Sequence, residues 1–335
     1  MSALPVSVTV TNASGLTATA NAVANVTDAG YDNLTNWPST ANRPQWSNTG
    51  GAGTLTWIGP VAGGPSTGND VLQSLALTAS TSISSTANGQ VIEGRNISSG
   101  ASITHSNVTL RRCYIHVGGG GGGFVINPVS GSNIVIEDCF LVGNLNGGVG
   151  TYYGVTNAPN LFGPNLTVRR CAFKGWDNSL GSDWRDGLVI DNLFYGASGY
   201  TSSSHVDLIE VYTQQATLPL ALTIKHNTFD CAGPLAGDWA SGLNVGALGR
   251  VDNLIIDNNC WINTANRQFG LTYSFYSSAP VRITTTNNGV RNTSAFWGLS
   301  GGLTRIMVAA DSGNFNMASD TATSGTPWGG NGRIH

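Results

Sequence analysis

The chain has 335 residues, of which only 10% are Asp, Glu, Lys or Arg, and a net charge of -3. Neither sign is abundant enough to make an electrostatic case for nucleic acid or an anionic membrane as partner. No stretch is apolar and long enough to span a bilayer, and no CxxC or Cys/His spacing points to zinc, so neither membrane insertion nor a metal site is expected.

Residues 1–35 contain SVTVTNASGLTATANAVANVT, which alternates well enough for one or two strands before DAGYDN interrupts it. A short attachment module fits this pattern. The opening MSALPVSVTV has no basic start and no apolar run of secretory length. Residues 36–69 read as an extended connector marked by Pro and Gly and anchored by Trp37, Trp46 and Trp57.

From about 70 to 290 one phrase returns: VTLRRCYIH, IVIEDCFLVGN, LTVRRCAFKG, LVIDNLFYG, LTIKHNTFD, LIIDNNCWIN and VRITTTNNG. Each alternates apolar and polar residues for about five positions, as a strand with one buried face must, and then turns a polar corner. Aligning the phrases puts Cys113, Cys139, Cys171, Leu193, Asn227, Asn259 and Thr286 in one column, at steps of 26, 32, 22, 34, 32 and 27 residues. Self-similarity at this spacing predicts a solenoid whose turns differ by loop insertions. No unit shows a helical period, which argues against leucine-rich or helical repeats. The β-branched strands and the Gly, Asn, Ser and Asp corners predict an all-β parallel β-helix. A β-sandwich is the alternative, but it reverses strand direction and gives its strands no reason to look alike.

The three cysteines stand one to a coil at an inward corner, where a small, mostly apolar side chain fits, and a reduced ladder is expected. The run Gly118–Gly123 has no side chains and is a loop or a place of close backbone approach. The Arg111-Arg112 and Arg169-Arg170 pairs occupy the same coil position and read as outward ladders. After 290, Phe296, Trp297, Phe315 and Trp328 lie in a segment without the phrase, and 291–335 is expected to cap the open end or to meet partner chains there.

Candidate chemistry concentrates between 174 and 239. Lys174, Trp176, Asp177, Asp183, Trp184, Arg185 and Asp186 crowd one insertion, His205, Asp207 and Glu210 follow on the next coil, and Asp238 and Trp239 come after the one beyond. Trp176, Trp184 and Trp239, with Arg185, are candidate glycan contacts, because indole suits the C–H faces of sugar rings; the plain alternative is loop anchoring. His205, Asp207, Glu210 and Asp186 are the catalytic candidates, since paired carboxylates serve glycoside hydrolysis and carboxylates with Arg serve Ca²⁺-assisted β-elimination. Set against that, His205 and Asp207 alternate on one face, where a structural hydrogen bond satisfies both. Glu210 lies an odd number of residues from Asp207, which puts the two on opposite faces of an unbroken strand.

The run NWPSTANRPQWSNTGGAGTLTWIG at 36–59, then ANGQVIEGRNISSGASITHSNVTLRRCYI at 87–115, VIEDC, TVRRC and SHVDLIEVY at 204–212, resembles a family of right-handed, pectate-lyase-like β-helix proteins from actinobacteria and their phages. The family's His-x-Asp-Gly-Ile-Gln is matched by His205, Asp207 and Ile209, while Leu208 replaces its Gly and Glu210 its Gln. The resemblance covers roughly residues 36–265. It implies a right-handed β-helix and, in phages, a minor tail or tail-spike protein.

Sequence and resemblance together lead to the expectation of a virion component acting outside the cell. It binds host surface polysaccharide, contacts other tail proteins and assembles as a symmetric homotrimer. No cofactor is expected. The alternative is a polysaccharide depolymerase, lyase or hydrolase, with Ca²⁺ entering only if it is a lyase. A bacterial surface adhesin is a third reading, and it needs an export signal that the opening residues lack.

Overall fold

The alternation in each phrase sets which residues are buried: Ile134 and Ile136 are in the core while Val135 between them is partly exposed, and Leu166, Thr167 and Val168 repeat the pattern one coil on. The computed structural model describes residues 2–11, 17–26, 43–44, 77–116, 126–128, 131–143, 151–156, 165–181, 186–195, 205–213, 220–230, 239–247, 251–262, 269–275, 281–291, 297–299, 307–317, 319 and 325–327. They are strands and turns throughout, so among them no helix is long and apolar enough to cross a membrane.

The chain divides into Met1–Pro38 and Ser39–His335. In the first unit, Ser2–Thr11 and Thr17–Val26 pair antiparallel over their full length. The second unit is a right-handed parallel β-helix. Nine strands, Val91–Glu93, Thr109–Arg111, Ile134–Glu137, Leu166–Arg169, Asp186–Ile190, Leu220–Lys225, Val251–Asp257, Val281–Thr286 and Met307–Ser312, stack in parallel as one sheet, one strand per coil. The first coil turns at Gly94 into the nine-residue strand Arg95–Ile103, and each later coil turns a two-residue corner into a three-residue strand such as Phe140–Val142 or Ala172–Lys174. Among the described residues five coils then add a longer strand, Thr151–Thr156, Trp176–Gly181, His205–Thr213, Trp239–Ala247 and Phe269–Phe275, stacked in parallel on one another.

The corner explains the phrase. Its first residue has positive φ in every coil: Gly94, Arg112, Asp138, Arg170, Asp191, His226, Asn258, Asn287 and Gly313, between 51° and 71°. That conformation costs a side-chain-bearing residue about 1–2 kcal/mol, which accounts for Asp, Asn and Gly there. Backbone bonds to the next coil, such as Arg170 N–H to Ile190 O at 3.2 Å, hold the arginines in it.

The next residue points inward and forms a continuous ladder. Cys113, Cys139 and Cys171 occupy its first rungs, fully buried and unbonded. Each thiol donates to a carbonyl of the preceding coil, Ile92, Leu110 and Ile136, at 3.6–3.8 Å. The following rungs are Asn192, Asn227, Asn259, Asn288 and Asn314. The column therefore passes through Asn192 instead of Leu193 and through Asn288 instead of Thr286. Leu193 pairs with Ala172, beyond the corner, and Thr286 pairs with Asp257, before it. The corner position, not the visible apolar phrase, sets the register.

The coils also run further than 290. Met307–Ser312 and Phe315–Met317 add another turn, with Gly313 at the corner and Asn314 on the ladder. Gly325–Pro327 then pairs antiparallel with Phe315–Met317 and ends the parallel stacking. The core beneath is aliphatic under the nine-stranded sheet and aromatic under the short strands. There Phe173, Phe194, Phe229 and Trp261 stack at centroid separations of 4.9, 5.2 and 4.8 Å, within the range of favourable offset stacking.

From Glu93 to Asp257, the last strand residue and the corner residue after it supply one or two ionisable groups per coil, with sign alternating between successive coils. Glu93 accepts from Arg111 and Arg112 at 2.7 and 3.0 Å, and Glu137 and Asp138 accept from Arg169 and Arg170 at 2.6–3.1 Å. Asp191 bonds His226 Nδ1 at 2.5 Å, and Lys225 lies 3.8 Å from Asp257. The arginine pairs are thus rungs of an ion ladder whose acids occupy the same positions on intervening coils. Arg111 holds the Glu93 carboxyl below its usual range by hydrogen bonding. Burial works against the charge of Arg170, but the bonds to Asp138 outweigh it and raise the guanidinium above its usual value.

Candidate functional site

The longer strands gather part of the 174–239 cluster and disperse the rest. Trp176 opens the strand Trp176–Gly181 and is fully buried in the main core, its indole N–H donating to Leu141 O at 3.1 Å. Gly143 makes room for it: a Cβ there would stand 2.1 Å from Gly175 O and 3.2 Å from the Trp176 ring. Trp176 has no face to offer a sugar, which corrects its assignment as a ligand contact. The aromatic residue that begins this strand is held by an apolar seat and a carbonyl acceptor, and the sequence alone does not separate that from a loop platform.

Asp207 is 4% exposed and Asn178 3%. The two are register partners, and Asp207 N–H donates to Asn178 Oδ1 at 3.1 Å. Asp207 shares strand parity with Ile209, and Asn178 with Leu180, both core residues. Asp207 therefore belongs to a polar inclusion in the packed interior rather than to an open carboxylate face. Lys174 is likewise buried, its Nζ 5.7 Å from the centre of the Tyr195 ring.

Strand pairing sets His205 beside Trp239, Asp207 beside Ser241, and Glu210 between Gly181 and Asn244. Asp186 starts a strand of the other, nine-stranded sheet, where it pairs with Ala221, and so does not share a sheet with His205 and Glu210. Asp183, Trp184, Arg185 and Asp238 lie outside the described residues. Among the described residues no group of three or more His, Cys, Asp or Glu is arranged to hold a metal ion.

Two polar groupings had no place in the sequence reading. One is the buried Asp191–His226 pair at the corner, whose signal is the alternation of acid and base at the residue before each of the first five ladder rungs, Arg112, Asp138, Arg170, Asp191 and His226. The other is a node at the first coils, where Ser85 Oγ accepts Thr104 N–H at 2.8 Å and His105 N–H at 3.2 Å and contacts His105 Nδ1 at 2.9 Å. Ser85 is buried there and ties adjacent coils together. The segment holds no repeated phrase to mark it.

No protein-family model matches the chain, and no curated protein matches its sequence. Among solved structures, the tailspike protein of E. coli bacteriophage HK620 is similar in chain path. A mutant in complex with a pentasaccharide gives a TM-score of 0.45 at 14% identity, over 73% of this chain and 49% of that one. A double mutant gives 0.43 at 14% identity, over 69% and 49%. The chain thus spans about half the length of the tailspikes it matches. The parallel β-helix itself rests on this chain's own strand pairings.

Proposed function

We propose that this chain is a phage tail or tail-tip protein that binds glycans on the host surface. The observation that carries this reading is a weakly charged scaffold: a parallel solenoid with only 10% charged residues, whose ion pairs neutralise one another along its side and leave a long surface for ligands rich in hydroxyl groups. The sequence resemblance to minor tail and tail-spike proteins of actinobacterial phages points the same way, as does the separate antiparallel hairpin unit of Ser2–Val26, which suits attachment to other tail proteins. The strand ends where His205 pairs with Trp239 are the candidate contact, together with Trp184 and Arg185, which lie outside the described residues.

Burial of Asp207 beside Asn178 favours a binder over a depolymerase, because it removes one of the two carboxylates that hydrolysis would need on an open face. Three copies around a tail axis is the proposed assembly, placed in the virion and acting outside the cell. Adsorption of the purified chain to host cells, with assay of released sugar, tests the reading. Saturable adsorption without new reducing ends or unsaturated uronates is expected. Absence of adsorption to host envelope would remove the binding role, and sugar release would put the depolymerase first.

A further inference from the structure

We infer that the outward face of the nine-stranded sheet is a second glycan surface, a ledge for a linear, uncharged polysaccharide laid along the solenoid axis. This rests on the glycan-binding reading above. Its central column, read by strand register, is Val91, Thr109, Val135, Thr167, Leu188, Thr223, Ile255 and Thr284. A hydroxyl and an aliphatic side chain alternate on it from coil to coil.

Three observations converge on this ligand class. The first is spacing. Adjacent parallel strands lie about 4.8 Å apart, close to the length that one pyranose adds to an extended chain. Successive rings of an extended β-linked chain are flipped, so a two-coil alternation of hydroxyl and aliphatic matches a disaccharide repeat, offering hydrogen bonds to one ring and an apolar contact to the next.

The second is polarity at the flanks. On one side Asn107, Asn133 and Asn165 are exposed, and Nδ2 of each of the latter two donates to the Oδ1 before it at 3.0 Å. An amide has two N–H groups and two acceptor lone pairs, so each keeps capacity for a sugar hydroxyl. On the other side the ion ladder cancels its own charge. A polyanion passing along it would meet Glu137 and Asp138 as often as Arg169 and Arg170, which favours a neutral chain.

The third is openness. Thr109, Val135, Thr167, Leu188, Thr223 and Ile255 are partly exposed. Residues of the short strands outside the main core, including Phe140, Val142, Leu193 and Tyr195, are buried in a second apolar cluster. In a parallel, in-register trimer each charge of the ladder would meet its own copy at the same height. Like charges across a contact are unfavourable, so this sheet stays on the outside of such an assembly.

The test is binding of the intact chain to an array of linear neutral and acidic bacterial envelope polysaccharides, followed by two double variants, Thr167→Lys/Thr223→Lys and Thr167→Ala/Thr223→Ala. Melting and light scattering are measured on each. Wild type is expected to bind neutral glycans, the lysine pair to lose at least tenfold in affinity, and the alanine pair to lose severalfold, with unchanged melting and mass. Binding to acidic glycans alone, or unchanged neutral binding in both variants, overturns the ledge and leaves the glycan-binding reading standing. Absence of any glycan binding by wild type overturns both. A change in oligomer mass in place of glycan affinity makes the face a protein contact and overturns the ledge as well.

Discussion

Asn227 donates from Nδ2 to Oδ1 of Asn259 at 3.0 Å, while the same Asn259 oxygen accepts the backbone N–H of Asn227 at 3.0 Å. The relation repeats from Asn192 to Asn314, so each amide serves two rungs at once. Replacing Asn227 with Ala leaves the N–H and Nδ2 of Asn192 and the carbonyl of Val189 without these partners in a buried corner. Each orphaned group costs about 1–3 kcal/mol. Denaturant unfolding of Asn227→Ala is expected to show a loss of at least about 3 kcal/mol; a loss under about 1 kcal/mol would mean that the ladder is ornamental.

The ion ladder predicts an unusual failure of charge reversal. In an isolated pair, exchanging Glu137 and Arg169 would restore the attraction. Here Glu137→Arg would face Arg111 on the preceding coil and would take from Arg170 the carboxylate it now bonds, and Arg169→Glu relieves neither clash. The exchange double variant is expected to melt well below wild type, and full recovery would show that the pairs act independently.

Acid weakens the same ladder. The folded Glu93 carboxyl titrates below its ordinary 4.5 because Arg111 donates to it. A group depressed in this way contributes stability above its unfolded pKa and loses it as pH falls through the folded value. Thermal melting from pH 6 to 3 is therefore expected to drop below about pH 4.5, less steeply in Glu93→Gln. An identical pH profile in that variant would count against the linkage.

The cysteine rungs are expected to be chemically silent in the native state. All three are fully buried, out of reach of a reagent in the folded chain, and burial also pushes the Cys139 thiol well above its usual range, where the reactive thiolate is scarce. Site-resolved alkylation should label Cys113, Cys139 and Cys171 only in denaturant. Native labelling of Cys139, or a disulfide within the column, would contradict the packing.

The tryptophans separate by role. Trp176→Ala opens the core and is expected to cost about 3–5 kcal/mol. Trp239→Ala is expected to keep its melting temperature and weaken host adsorption by about 0.5–1.5 kcal/mol. Equal effects on stability would remove Trp239 from the candidate contact.

The repeated phrase determined the solenoid, the parallel stacking and the reduced cysteine column, because strand alternation and corner chemistry are local and each coil repeats them. It misplaced the column at Leu193 and Thr286, since the corner is set by positive φ at Asp191 and Asn287, a backbone property that no single residue type announces. Pairing between coils was likewise beyond it. Glu137 and Arg169 are 32 residues apart and Asp191 and His226 are 35 apart, and loop insertions of unequal length hide which positions share a height. The same limit governed the candidate residues. Whether Trp176 and Asp207 lie in the interior or on an open face depends on which neighbours stack above and below them, and only the tertiary structure decides that.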